Sequence, residues 1–190
     1  MKAGFWYEFC KGSNQNKVLD PVLINYLKKY LKPESIVLGI SPDAESLSHQ
    51  LAPFYQSIET TDLSSEVSEA VGREKEGENV QNGTALIGES DRFDVVLGLD
   101  VLHVVPDINQ LVVELYRVLK PGGRLIIEVA TFKEQQFVSI ITRTAMKMLK
   151  YRLWTAEDYQ ELLITEGFTI ESSKYIRQGS LTVLIVARKS

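Results

Sequence analysis

Residues 93–132, FDVVLGLDVLHVVPDINQLVVELYRVLKPGGRLIIEVATF, constrain the fold more than any other stretch of the chain. Its flanks, FDVVLGLDVL (93–102) and RLIIEVATF (124–132), are near-continuous apolar runs rich in branched side chains. Strands buried on both faces of a sheet read this way. Between them, PDINQLVVELYRVL (106–119) repeats its apolar residues at helical spacing, with Pro106 and Asp107 placed in the first turn. Lys-Pro-Gly-Gly then predicts a turn, because proline fixes one φ and glycine permits positive φ. Two buried strands joined through a helix run parallel.

The same alternation continues on either side. DPVLINYLKKYLKP reads as a helix, with Asp20 as cap, Pro21 in the first turn, and Leu23, Tyr26, Leu27, Tyr30 and Leu31 on one stripe. Strands are predicted at 36–40, 57–62 and 84–88, and helices at 43–53, 63–72, 134–150 and 155–166. Thr155 suits the cap of the last helix and Gly167 its stop. IESSKYIRQ and SLTVLIVARK read as two strands joined by a tight connection at 178–180. These elements predict an open α/β sheet, mostly parallel, with helices on both faces and an antiparallel C-terminal edge. The 36–40 strand belongs near its centre, between 57–62 and 93–99. Ligands of such sheets bind beyond the carboxyl ends of the strands, which singles out the ends near Gly39, Asp62, Gly98 and Ala130.

Composition narrows the function. A net charge of −4 lacks the basic excess that attracts nucleic acid. Cys10 is the single cysteine, so neither an internal disulfide nor a cysteine-based metal cluster is expected, and no metal ligands are assigned. Neither a signal peptide nor an apolar run of about 20 residues is apparent, which predicts a cytoplasmic chain without a membrane span. With 190 residues, one domain over 1–190 is expected.

The 93–132 segment resembles one half of the class I S-adenosylmethionine (SAM) methyltransferases, the UbiE/trans-aconitate-like group also described as methyltransferase type 11. The resemblance rests on Phe93-Asp94 before the strand, Leu102-His103 after it, and Arg117-Val118-Leu119-Lys120-Pro121-Gly122-Gly123. It continues in the Trp154-Thr155 start and Gly167-Phe168 end of the last helix, and in Asp62-Leu63-Ser64. Each piece also has a purely structural explanation in turns, caps and core packing. What the resemblance implies is a Rossmann-like, doubly wound fold, a SAM cofactor, and a small-molecule substrate.

One part departs from the family. Its first loop reads Val-Leu-Asp-x-Gly-x-Gly-x-Gly, with glycines that let the backbone approach the methionyl part of SAM. Here Gly39 stands for the acid, and Ser41, Asp43 and Glu45 stand for the three glycines. A side chain in place of a positive-φ glycine costs on the order of 1 kcal/mol per site. Asp43 and Glu45 would repel the SAM carboxylate by about 4 kcal/mol at about 4 Å separation. A weak cofactor site follows. The same acids are also what the first turn of any helix favours.

The resemblance assigns Gly39, Ser41, Asp43, Gly98 and Leu99 to the cofactor, with Asp62 on the ribose hydroxyls and Thr84 and Ala85 on the adenine side. Glu59 is the alternative to Asp62 under a shifted strand register. Asp100 and His103 follow the strand at the methyl-accepting end, where an imidazole accepts a proton and a carboxylate orients it. The aromatic start at Phe5, Trp6, Tyr7 and Phe9, within a 1–33 cap segment, and the 134–152 stretch are candidates to cover the substrate. The apolar stripe and basic rim of 134–152 would equally suit a partner protein or a membrane surface. Two functions remain open. One is methyl transfer to a small molecule. The other is a non-methylating member of the fold, either a cyclase or isomerase in the same pocket or a cofactor-free subunit that regulates a partner.

Overall fold

The computed structural model describes residues 21–41, 44–52, 54, 57–61, 89–99, 101–102, 105, 107–131, 154–176 and 182–190. They form, in chain order, α1 (Pro21–Leu27), β1 (Ile36–Ile40), α2 (Ala44–Leu51), β2 (Ser57–Thr61), β3 (Phe93–Leu99), α3 (Ile108–Val118), β4 (Leu119–Ala130), α4 (Ala156–Thr165), β5 (Phe168–Tyr175) and β6 (Thr182–Lys189). The predicted elements at 63–72, 84–88 and 134–150, and the aromatic N-terminus, lie outside the described residues.

The described strands form one sheet in the order β2-β1-β3-β4-β6-β5. β1 pairs in parallel with β2 and β3, and β3 with β4, while β6 runs antiparallel to both β4 and β5. The 36–40 strand therefore lies between 57–61 and 93–99, as the alternation of elements predicts.

Successive residues of a strand point to opposite faces, and the core divides accordingly. Leu38, Ile40, Val96, Leu125, Ile127 and Val129 join Leu111, Leu115, Tyr159 and Leu163 of α3 and α4 in one cluster. Val37, Val95, Leu97, Leu99 and Ile126 join Leu23 and Leu27 of α1 and Leu47 and Leu51 of α2 in the other. Helices thus cover both faces, which is the doubly wound arrangement. Truncating any of these leucines to alanine would cost about 2–5 kcal/mol.

Local signals explain the helix boundaries. Asp107 is the N-cap of α3, one residue outside the helix and not within its first turn, and its carboxylate accepts from Gln110 N at 3.0 Å. Thr155 caps α4 in a reciprocal box: its hydroxyl accepts from Asp158 N, and Asp158 accepts from Thr155 N at 2.7 Å. Gly167 follows at φ +96, a value that favours glycine, with its Cα face against Tyr116.

The Lys-Pro-Gly-Gly segment corrects the sequence reading. The chain does turn here, with Gly122 at positive φ, but the strand does not begin at 124, because pairing already starts at Leu119. Phe93 pairs with Leu119 and Val95 with Arg124, so two steps along β3 face five along β4. The segment is a bulge inside a paired strand, with Gly122 at φ +76. A Cβ on Gly123 would lie 2.8 Å from the Lys120 carbonyl and 3.1 Å from that of Asp94, so this position admits no side chain without backbone movement.

Candidate functional site

From β1 the sheet grows toward β2 on one side and β3 on the other. Such a reversal opens a crevice at the carboxyl ends of the two diverging strands. Ile40 and Gly98 are paired at that point, and Ile40 also pairs with Thr61 at the end of β2. Ser41 leaves β1 half-buried, and α2 begins at Ala44. Residues 42 and 43 are therefore the whole gap between Ser41 and the helix.

Four predicted cofactor residues fall on described positions. Gly39 is buried inside β1, and a Cβ there would lie 3.0 Å from Leu47 Cδ2 and 3.2 Å from Thr60 Cγ2. Its side-chain direction is filled by the packing of α2 on the sheet. The acid that the family pattern places at this position would need the Leu47 and Thr60 side chains to shift by a few tenths of an ångström. Ser41 and Gly98 stand at the crevice, and a Cβ on Gly98 would meet Ile127 at 3.3 Å. Leu99 is buried and pairs with Glu128 of β4. Asp43, Asp62, Thr84, Ala85, Asp100 and His103 lie outside the described residues. Val101, Leu102 and Val105 are buried in the core cluster that also holds Leu111 and Leu115 of α3.

Two acids weighed in the sequence take other positions. Glu45 lies in the first turn of α2 with its side chain 91% exposed, 3.9 Å from His49 one turn on. Its carboxylate faces solvent, so the repulsion expected between it and a bound SAM carboxylate largely falls away. Glu59 sits mid-strand opposite Leu38 and is ion-paired with Arg92, two residues before the strand end.

Sequence reasoning passed over Glu128. It is the one acidic side chain buried among the described residues, at 8% exposure, with Thr131 also buried three positions on. The available signal was a single acid inside the apolar run Leu125-Ile126-Ile127-Glu128-Val129. Among the described residues no group of three potential metal ligands occurs, and no helix is long and apolar enough to cross a membrane.

The architecture has many counterparts among solved structures. One is a chain in the complex of the Haloferax volcanii Trm112 methyltransferase activator with a protein assigned as a methyltransferase, at TM-score 0.69 and 14% identity, covering 98% of this chain and 97% of that one. Another is the 1,6-didemethyltoxoflavin-N1-methyltransferase of Burkholderia thailandensis, solved with 1,6-didemethyltoxoflavin and S-adenosylhomocysteine (SAH), at TM-score 0.65 and 19% identity, covering 99% and 86%. A third is the [4+2]-cyclase SpnF, at TM-score 0.61 and 15% identity, covering 88% and 79%. At these identities the likeness is one of fold. A 35-residue stretch is 49% identical to the highly reducing polyketide synthase stpks1 of Strobilurus tenacellus, spanning 18% of this chain and 1% of that relative. Residues 25–127, more than half of the chain, match the methyltransferase domain family, and the chain belongs to that family.

Proposed function

We propose that this chain is a single methyltransferase domain that takes SAM weakly across the carboxyl ends of β1 and β3 and methylates a small molecule. The observation that carries the reading is the switch-point crevice at Ile40 and Gly98, in a chain of the methyltransferase domain family. The toxoflavin methyltransferase of the same fold holds SAH, which supports the choice of cofactor. The described residues fit that group: Gly98 brings no side chain to the crevice, and Glu45 turns its charge to solvent.

In this reading Gly39 and Ser41 shape the backbone beside the methionyl part. Asp43 faces its carboxylate, Asp62 accepts from the ribose hydroxyls, and Thr84 and Ala85 flank the adenine. Gly98 and Leu99 form the floor. When bound, SAM supplies a methyl group already activated by the sulfonium, so the protein's work is alignment of the acceptor. Asp100 orients His103, and the His103 imidazole accepts the proton that the acceptor oxygen or nitrogen loses. Residues 1–33 and 134–152 cover the substrate.

The second reading, a non-methylating member, draws on the three replaced loop glycines and the filled side-chain direction at Gly39. Its neighbours are the cyclase SpnF and the activator complex. Calorimetry with SAM and SAH separates the two. Methyl transfer with a weak site predicts saturable binding with Kd above about 1 μM. Folded protein that binds neither ligand supports the second reading, and tight binding removes the weak-site part of the first.

A further inference from the structure

Glu128 is a carboxylate in an otherwise apolar stripe. Strand alternation places it on the same face as Ile126, Leu99 and Leu184, and its paired neighbours are Leu99 on β3 and Leu184 on β6. A buried ionised carboxylate costs several kcal/mol of desolvation, and apolar replacements of similar volume commonly serve folding as well or better. The side chain interacts with another group of the chain, so part of that cost is offset. Its position is the telling feature. It lies directly opposite Leu99 at the carboxyl end of the sheet, and adjacent strands are about 4.8 Å apart.

We propose that Glu128 supplies a fixed negative charge to the crevice and makes the site prefer a cationic ligand over its neutral counterpart. The inference rests on the cofactor reading above, in which Leu99 belongs to the floor of the SAM site. SAM and SAH then make the natural pair of probes. They differ by one methyl group and by the positive charge of the sulfonium. A carboxylate within about 8 Å of that charge, at an effective dielectric near 20, favours SAM over SAH by about tenfold or more. A residue whose only task is to pair within the chain would not distinguish them.

The experiment is calorimetric titration of the wild-type protein, Glu128→Gln and Glu128→Asp with SAM and with SAH, alongside thermal melts. Wild type is expected to bind SAM more tightly than SAH. Glu128→Gln, which keeps the shape and removes the charge, is expected to weaken SAM by about tenfold and leave SAH within about twofold. Glu128→Asp restores part of the preference. Equal shifts for both ligands, or none, overturn the proposal and make Glu128 a structural partner. A wild-type preference for SAH overturns it as well, without need of any variant. If wild type binds neither ligand, the cofactor reading itself fails and this inference falls with it, an outcome distinct from equal shifts.

Discussion

The two ends of the parallel strands are built differently. At the amino end, charged side chains link neighbouring elements. Asp94 accepts from Ile36 N at 2.9 Å and from Lys120 Nζ at 2.8 Å, joining the start of β1 to the β4 bulge. Lys189 reaches Asp91 at 2.8 Å and the Leu119 carbonyl at 2.7 Å. Arg124 of β4 grips Glu171 of β5 through two nitrogens. The described carboxyl end offers Ile40, Ser41, Gly98 and Leu99, with Glu128 and Thr131 buried just behind. One end is fastened by polar clamps between elements, and the other presents an apolar rim with one acid. Under the proposed function the contrast predicts where substitutions act: at the amino end on stability, and at the carboxyl end on ligand binding.

The largest expected effect lies at the carboxyl end. Under the methyl-transfer reading, His103→Ala lowers turnover by about 10²–10⁴-fold while the melting temperature stays within a few degrees. Single-turnover methylation and a thermal melt measure the two quantities. A large fall in melting temperature instead would make His103 a packing residue that closes the strand-to-helix connection.

Gly123→Ala is the amino-end counterpart. The new methyl meets two backbone carbonyls inside the bulge, and neither can rotate away as a side chain would. A loss of about 2 kcal/mol is expected, lowering the melting temperature by about 4–8 °C. SAH affinity in the folded protein should not change. A change in affinity without a change in melting temperature would break the division between the two ends.

Between the ends, the acids of the first loop give a graded test. Asp43→Gly removes a charge from the β1–α2 connection and is expected to tighten SAM by about tenfold. Glu45→Gly is expected to leave SAM within about twofold, because that carboxylate faces solvent beside His49. Glycine in the first turn of α2 costs up to about 1 kcal/mol of stability. Equal gains from both substitutions would place Glu45 nearer the ligand than its exposure allows.

The sequence made the sheet legible because its signals were local and redundant. Apolar runs gave β1, β3, β4 and β6, and Thr155 and Gly167 marked both ends of α4. The bulge was hidden because Lys-Pro-Gly-Gly has the same turn chemistry whether it precedes a strand or interrupts one. Only the pairing of Leu119 with Phe93 decides between them. The site was legible as a place, the switch point, more than as a set of side chains. Glu45 shows why: residue type and spacing put it in the loop pattern, while the rotation of the first helical turn sends its carboxylate to solvent. Glu128 escaped because the apolar run around it marks the strand as buried without marking its single acid as anything more than an interruption.

The smallest expected effect concerns Asp94 and sharpens what the clamps contribute. Partial burial raises its pKa, but hydrogen bonds from Lys120 and from Ile36 N outweigh that and hold the carboxyl below its ordinary value. A group with a depressed pKa in the folded state stabilises the protein above its unfolded pKa, near 4, and loses that contribution as pH falls through the folded value. Both partners of the ion pair are about a third exposed, so solvent screening limits the gain to about 0.5 kcal/mol. Asp94→Asn keeps an oxygen able to accept from Ile36 N and removes the charge facing Lys120. The variant is therefore expected to melt about 1–2 °C lower than wild type at pH 7, with the difference shrinking as pH falls through the lowered folded-state pKa of Asp94. Chemical denaturation across that range gives the same comparison in free energy. A difference that persists unchanged at low pH would assign the effect to shape at the β1–β3–β4 junction and not to charge. SAM affinity at pH 7 should match wild type, because Asp94 lies at the far end of β3 from the crevice.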